Sequence, residues 1–240
     1  MPATIVVSPD IPATHDLRSL AFDAFFSDSG EVAAMSRSSN TVALRLAGVD
    51  LHVKRYRYSR RQAFRGCLRN TFLGPSRVRA EFEMARRLRG RLGDVTPAAA
   101  AFGEERRAGF LRRAFFATET IADAAPVGSE ASAHALGSFL RRLHAAGFSH
   151  GRLYARNLLA TPDGTLRIVD LDRTTFRLRP VRGPRAARDL AHLLVSIEGL
   201  DGAALLDAYG APSLATEVER ARVAATAGLA RRSGPPHVTT

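Results

Sequence analysis

Three features that the sequence lacks limit the class of protein. The single cysteine, Cys67, cannot form an internal disulfide, so we expect a reducing, cytoplasmic environment. No apolar run approaches the roughly 18 residues that a membrane span requires. The first residues, MPATIVVSPD, lack the basic region and apolar core of a secretory signal. The 240 residues suffice for one substantial core or two small lobes, so we expect a cytoplasmic globular protein.

Lysine is almost absent from a strongly basic chain. Of 35 Lys and Arg residues, only Lys54 is a lysine. A lysine ammonium is compact and strongly hydrated, whereas the arginine guanidinium is a broad planar fork. We infer that the site that retains Lys54 is narrow and geometrically strict.

Carboxylates are absent from one long segment. Between Lys54 and Arg79 there are nine positive residues and no Asp or Glu, in a chain of net charge +12. Such a segment favours polyanions, among them nucleic acid, anionic lipid head groups and phosphorylated glycans. Charge alone does not choose among these partners, and a basic surface can also serve solubility only.

The first half of the chain has the periodicities of strands and of two helices. We predict helices over 14–27 and 74–93, and strands over 31–37, 41–47, 51–56, 98–103 and 110–118. The helix over 74–93 begins with Pro75, ends at Gly93, and buries Val78, Ala85, Leu88 and Leu92.

Lys54 and Glu81 fall at notable places in these elements. On its strand Lys54 faces away from the apolar pair Leu51 and Val53. Glu81 lies in the buried stripe of the second helix and therefore requires a cationic partner. Glu83, by contrast, is spaced for an outer-face ion pair with arginines four residues away.

The second half is mostly helical. The irregular stretch ETIADAAPVG predicts a hinge near residue 120, followed by a helix over 129–147 with Ser129 as N-cap and Gly147 as stop. LLATPDGTLRIVD predicts a hairpin that delivers Asp170 at the end of its second strand. ARDLAHLLVSIEGL predicts a further helix, and the last ten residues a frayed tail.

The stretch HGRLYARN, residues 150–157, has the spacing of a kinase catalytic loop. His150 and Asn157 stand at the expected positions, but Arg152 occupies the place of the Asp that accepts the proton of the attacking hydroxyl. Holding a phosphoryl donor and its metal also requires a lysine, a carboxylate that fixes it, and Asn and Asp oxygens for Mg²⁺. The chain offers these in order, as Lys54, Glu81, Asn157 and Asp170.

These motifs resemble the protein-kinase-like superfamily, and more closely the bacterial lipopolysaccharide kinase (Kdo/WaaP) family. The resemblance covers about residues 30–200 and rests on VKRY, RAEFEMARRL, HGRLYARNLL, IVDLDR and RDLAHLL. It implies an α+β, two-lobed fold with an N-terminal antiparallel sheet and one helix, and a smaller, mostly helical C-terminal lobe. We expect a nucleotide-binding lobe over 1–120 and a catalytic-loop lobe over 121–240 within one kinase-like domain.

The resemblance also implies a role for each matching residue. Lys54 binds the phosphates of ATP and pairs with Glu81, while Asn157 and Asp170 hold Mg²⁺. His150 braces the loop against the backbone near Asp170, and Asp189 anchors the loop backbone. No glycine-rich phosphate loop is present; SRSSN stands in its place, so Ser38, Ser39 or backbone amides would serve. Asp172 and Arg173 match the family pattern without a role that we can assign.

Arg152 leaves several functions open. The first is an ATP-dependent kinase that phosphorylates a sugar hydroxyl of lipopolysaccharide core or a related glycan, with peripheral contact to anionic membrane. Arg152 would then contact phosphate or an acidic sugar, and Asp163 or Asp172 could stand in as base. The second is a pseudokinase that binds nucleotide or anionic lipid as a scaffold. A nucleic-acid binder, suggested by the alternating Arg and Tyr of residues 55–58, is the least favoured.

Overall fold

A computed structural model describes residues 3–12, 15–27, 30–35, 39–58 and 76–230. The chain divides into two compact units, Met1–Ala122 and Asp123–Thr240. Each unit is described by itself below. Cys67, Ser38, Pro75 and the predicted C-terminal tail lie outside the described residues, as does most of the basic segment that follows Arg57.

The first unit is built on an antiparallel sheet. Within the described residues its strands are β1 (Thr4–Val7), β2 (Glu31–Met35), β3 (Ser39–Leu46), β4 (Val49–Arg57), β5 (Ala99–Arg107) and β6 (Phe110–Glu119). They pair in the order β1-β5-β6-β4-β3-β2, and all neighbours are antiparallel. The sequence predicted five of these six and missed β1, an edge strand paired with β5. Its four residues are too few for alternation to identify a strand.

The turn between β5 and β6 is shorter than predicted. The strands predicted over 98–103 and 110–118 leave the six residues EERRAG as their connection, but Glu104–Arg107 continue β5 and the turn consists of Ala108 and Gly109. Both turn residues have positive φ, 49° and 81°, the signature of a type I′ turn whose twist matches that of the strands. The result is a long hairpin that carries aromatic side chains on both faces of the sheet.

An aromatic cluster covers one face of the sheet. Phe25 is fully buried and stacks on Phe115 of β6 with ring centroids 4.0 Å apart. The predicted helix over 14–27 is wrong, because only Phe22–Phe26 form a helical segment, a 3-10 turn. Upstream, the backbone N–H and hydroxyl of Ser19 bond to Asp16, and such local bonds compete with helical ones.

Helix α1 (Arg77–Leu92) covers the other face of the sheet. The Ser76 hydroxyl caps it by accepting from the N–H of Arg79, and Gly93 ends it at φ 73°. Phe82 packs on Phe102 of β5, with ring centroids 4.9 Å apart, a contact that the sequence did not predict. Of the four residues predicted to be buried, three are; Leu92 is only half-buried.

The second unit consists of four helices and short strands within the described residues. The helices are α2 (Ala133–Ala145), α3 (Pro184–Ser196), α4 (Gly202–Tyr209) and α5 (Ala215–Ala230). The strands are β7 (Ala125–Pro126), β8 (Phe148–Ser149), β9 (Leu158–Ala160), β10 (Leu166–Ile168) and β11 (Thr175–Phe176). Two small sheets result, β10-β9-β7 and β11-β8.

The N-terminus of α2 differs from the prediction. Ser132, not Ser129, caps the helix by accepting from the N–H of Ala135 at 3.3 Å, while Ser129 lies in the preceding turn. Both residues are serines, which are common N-caps, so the sequence alone does not distinguish them. The turn that contains Ser129 determines that the helix begins after Ser132. The segment predicted as a hinge contains β7, which pairs with β9. Across the described part of the chain, every helix is too short or too polar to cross a membrane.

The aromatic cluster should dominate the stability of the first unit. We expect Phe25→Ala to lower the free energy of unfolding by about 3–5 kcal/mol, because it removes a fully buried ring and leaves a cavity. Leu178→Ala, at a residue whose surface is 87% exposed, should change it by less than about 0.5 kcal/mol. Urea unfolding of the two variants measures the difference, and equal effects would contradict this account.

Candidate active site

The lone lysine of the chain forms a buried ion pair. Lys54 lies on β4 on the face opposite the buried side chains of Leu51 and Val53. Its Nζ is 3.2 Å from Oε1 and 3.4 Å from Oε2 of Glu81 on α1. The side chains are 16% and 2% exposed. The inward cation that the sequence analysis required for Glu81 is therefore Lys54.

The ring of Tyr56 lies next to this ion pair. It lies two residues along the same face of β4 and is fully buried. Lys54 Nζ is 5.9 Å from its ring centroid, and Arg77 Cζ is 5.3 Å from it. Burial raises the pKa of Tyr56, and the negative charge of Glu81 raises it further. Tyr56 is therefore a neutral, packed ring, and the ion pair lies in surroundings where its attraction is stronger than in water.

In the second unit one carboxylate organises the loop His150–Asn157. Asp189 of α3 is fully buried. Its Oδ2 accepts from Ser149 Oγ at 2.9 Å, from the His150 N–H at 2.9 Å and from His144 Nε2 at 3.1 Å. Its Oδ1 accepts from the Gly151 N–H at 2.7 Å. Asp189 therefore binds two consecutive backbone N–H groups at the start of the loop.

The ionisation of Asp189 follows from these contacts. Burial by itself raises the pKa of this carboxyl, but the hydrogen bond and charge of His144, followed by His150 and Ser149, outweigh burial. The net result is a pKa below the ordinary value of 3.8. Asp189 is therefore ionised at neutral pH, and a charged acceptor holds the loop.

His150 joins the loop to the segment that precedes Asp170. Its Nε2 lies 3.0 Å from the carbonyl oxygen of Val169. Because a carbonyl only accepts, Nε2 carries the proton, and Nδ1 can accept from the N–H of Arg152 at 3.3 Å. The ring thus joins the loop to the backbone that precedes Asp170.

A hairpin brings Asn157 and Asp170 to the same end of two paired strands. Leu158 of β9 pairs with Ile168 of β10, and the Val169 N–H donates to the Asn157 carbonyl at 2.9 Å. Asn157 is buried, and its Nδ2 donates to the carbonyl of Arg152 at 2.8 Å. This bond makes Oδ1 the atom that Asn157 offers to a ligand.

Asp170 lies just after β10 and has an unusual backbone conformation. It is exposed and has a left-handed backbone, with φ 58° and ψ 59°. Such a conformation costs free energy in a residue other than glycine and is concentrated at functional sites. The described residues contain no cluster of three His, Cys, Asp or Glu side chains suited to a metal. Asn157 and Asp170 suit Mg²⁺ instead, which takes few protein oxygens and completes its shell with phosphates and water.

Sequence reasoning missed two residues behind the loop. His192 of α3 packs on Tyr154 with ring centroids 4.6 Å apart, and burial is the main cause that lowers its pKa to about 4. Tyr209 lies 2.9 Å from His144 Nδ1, and burial raises its pKa to about 12. Only the spacing of His192 from Asp189, one helical turn, is visible in the sequence.

The two carboxylates considered as substitute bases have structural contacts. Asp163 accepts in its own hairpin turn from the Thr161 hydroxyl and from the N–H and hydroxyl of Thr165. Its position is therefore explained by the turn. The Asp172 side chain is 4% exposed, and its Oδ2 lies 3.9 Å from Nε of Arg173. Ser39, the described member of the serine pair expected near phosphate, begins β3 and pairs in register with Tyr56.

Comparison with known proteins identifies the family. The family model described as "Lipopolysaccharide kinase (Kdo/WaaP) family" matches residues 27–225, which is most of the chain. The chain belongs to the lipopolysaccharide kinase (Kdo/WaaP) family. The family is one of kinases that phosphorylate lipopolysaccharide sugars, and membership confirms the resemblance inferred from the motifs.

A solved structure shows the same fold. The chain is similar to "WaaP in complex with acyl carrier protein", with a TM-score of 0.61 and 19% identity over 97% of this chain and 100% of that one. At this identity the likeness shows the fold alone, which is kinase-like as predicted. No curated protein matches the sequence.

The Asp189 anchor yields a stability prediction with a pH dependence. We expect Asp189→Asn to lower the free energy of unfolding by about 2–4 kcal/mol, since an amide turns an NH₂ group toward buried donors. Because the folded pKa is depressed, the wild-type advantage is present above pH 3.8 and is lost as pH falls through the folded pKa.

Urea unfolding of both proteins from about pH 7 to about pH 3 measures this difference. Asp201→Asn is the control, because Asp201 caps α4 and Asn caps a helix about as well. A wild-type advantage that grows on acidification would be incompatible with an ionised Asp189.

Proposed function

We propose that the chain is an ATP-dependent kinase that transfers phosphate to a sugar hydroxyl of lipopolysaccharide core or a related glycan. The observation that carries the proposal is the buried pair of Lys54 and Glu81. In a chain with 34 arginines, the one lysine lies on a strand against a helix carboxylate. In kinases a lysine so placed binds the nucleotide phosphates, and its glutamate fixes its direction.

The second unit supplies the metal ligands and the loop. Asn157, with Oδ1 directed by its bond to the Arg152 carbonyl, and the exposed carboxylate of Asp170 hold Mg²⁺. When bound, Mg²⁺ neutralises charge on the phosphates. Asp189 and His150 keep the loop in one conformation, so that these oxygens stay in place.

Arg152 changes the final proton transfer. A general base contributes about 10²- to 10⁴-fold to rate, whereas phosphoryl transfer depends mainly on positioning and charge stabilisation. A kinase that lacks the carboxylate of the general base therefore keeps the positioning and charge stabilisation that supply most of the rate enhancement. The guanidinium can instead hold a phosphate or carboxylate of the acceptor through two parallel hydrogen bonds.

The second candidate function is a pseudokinase scaffold that binds nucleotide or anionic lipid without turnover. The observation that favours it is the same Arg152, since the base position carries no carboxylate. The two functions differ in whether the wild type transfers the γ-phosphate to delipidated core oligosaccharide. We further propose that the protein works in the cytoplasm, at the inner face of the membrane where such glycolipids are made.

Substituting Arg152 separates the two functions. We expect the wild type to transfer phosphate. Arg152→Asp should raise the KM for the oligosaccharide about tenfold, because the guanidinium that binds an anionic group of the acceptor is replaced by a carboxylate that repels it. Arg156→Asp, at an exposed arginine of the same loop that lies over the Tyr154 ring, is the control. Transfer that appears only in Arg152→Asp would show that the native protein is a scaffold.

The metal ligands can be tested by the requirement for Mg²⁺. We expect Asp170→Asn to fold normally, because Asn tolerates the left-handed conformation, and to raise the Mg²⁺ concentration for half-maximal activity by roughly tenfold or more. Asp163→Asn, in the turn of the same hairpin, should leave that concentration unchanged. Titration of transfer activity with MgCl₂ measures both variants, and an equal response would argue against Asp170 as a ligand.

A further inference from the structure

A second basic segment, fully within the described residues, follows Asp170. Residues 173–188, here called the arginine strap, contain six arginines and no carboxylate. All six arginines are exposed to solvent: Arg173, Arg177, Arg179, Arg182, Arg185 and Arg188. The family fold requires a connection between the Asp170 hairpin and α3, but nothing in that requirement calls for positive charge.

The backbone of the strap is held firmly against the end of α2. Strand β11 pairs with β8, and the rings of Phe176 and Phe148 lie 4.9 Å apart. Farther along, the Arg177 N–H donates to the Gly147 carbonyl at 2.9 Å, and the Val181 N–H donates to the His144 carbonyl at 2.8 Å. The guanidinium groups thus project from a fixed backbone, which reduces the entropy lost when a ligand binds.

Gly147 shows how closely the strap is seated. A Cβ at this position would lie 2.0 Å from the carbonyl oxygen of Arg177, and the residue has φ 86°. Only glycine permits both the close approach and the left-handed backbone. The strap and the segment that enters the loop are therefore built to lie together.

Both ends of the strap lie beside the loop that carries Arg152. A Cβ on Gly151 would be 3.3 Å from the carbonyl oxygen of Arg173, at the first end. At the other end, Arg188 directly precedes Asp189, which accepts from the Gly151 N–H at 2.7 Å. The positive charges of Arg188 and Arg152 also both act on His192, although burial is the main cause of its lowered pKa.

The charge of the strap is available to a ligand. Arg173 lies 3.9 Å from Asp172. Within the described residues the other five arginines of the strap form no ion pair. Exposed like charges on one segment repel each other and attract polyanions. Arginine suits phosphates and carboxylates because its fork binds two oxygens at once.

We propose that the arginine strap binds the phosphate and carboxylate groups of the acceptor glycan and so selects a polyanionic acceptor. The proposal rests on the proposed function, since it assumes that the acceptor hydroxyl reacts beside Arg152. An anionic membrane is the main competitor, because Leu178, 87% exposed between two arginines, could enter a lipid surface. The glycan is favoured because the strap begins and ends at the loop residue next to Arg152.

The test measures binding without catalysis. Delipidated lipopolysaccharide core oligosaccharide that retains its phosphates and carboxylates is titrated into the full chain by calorimetry, with no nucleotide present. We expect the double variant Arg177→Gln/Arg179→Gln to bind about tenfold more weakly than the wild type. Arg107→Gln/Arg220→Gln removes the same charge from exposed positions on β5 and α5 and should bind as the wild type does.

Kinetics adds a readout that misfolding would not mimic. In the transfer assay the double variant Arg177→Gln/Arg179→Gln, here called the strap variant, should have a higher KM for the oligosaccharide. Its kcat and its KM for ATP should stay the same, because the lost contacts bind the ground state and the transition state equally. Removing the phosphates from the oligosaccharide enzymatically should shrink the difference between the wild type and the strap variant.

Three results would overturn the proposal. These are equal oligosaccharide affinity in the wild type and strap variant, equal loss in the control variant, and strap-dependent binding to phosphatidylglycerol vesicles but not to the oligosaccharide. If the protein transfers no phosphate but binds the oligosaccharide through the strap arginines, the proposed binding role of the strap is supported and only the assignment as a kinase is contradicted.

Discussion

The buried ion pair of Lys54 and Glu81 is the interaction on which the first unit depends. A carboxylate that is 2% exposed is costly unless a cation meets it, so β4 and α1 must keep one register. The opposite face of β4 helps to fix that register. Arg55, next to Lys54, is buried and donates to the carbonyls of Phe25 at 2.7 Å and Ser27 at 2.6 Å. Packing on both faces of the sheet therefore sets the direction of one ammonium.

In the second unit both backbone polar groups of residue 152 take part in the hydrogen bonds of the loop. The Arg152 N–H donates to His150, and its carbonyl accepts from Asn157. Asp189 holds the neighbouring N–H groups of His150 and Gly151. None of these bonds involves the side chain at position 152. These backbone bonds are available whichever side chain stands at position 152.

The sequence predicts best where several requirements meet at one residue. The burial of Glu81 beside a cation follows from periodicity, because a carboxylate in an apolar stripe needs a partner. Prediction failed where local alternatives are nearly equal. Ser129 and Ser132 are equally good candidates for the N-cap of α2. The spacing of the phenylalanines before residue 27 is typical of a helix, but the Ser19 N–H bonds to the Asp16 side chain instead of to a helical carbonyl. Tyr209 could not be found, because its contact with His144 spans 65 residues and leaves no pattern.

Whether the Lys54–Glu81 pair serves a nucleotide is decided by measuring ATP binding. Calorimetric titration with ATP, with and without Mg²⁺, is compared for the wild type, Lys54→Ala and the double variant Lys54→Met/Glu81→Gln. Lys54→Ala removes the cation of the buried Lys54–Glu81 pair and should lower the free energy of unfolding by about 3–5 kcal/mol, which the neutral double variant recovers. We expect Mg²⁺-dependent ATP binding by the wild type and none by the stable double variant. ATP binding by the double variant with wild-type affinity would show that Lys54 does not hold the nucleotide.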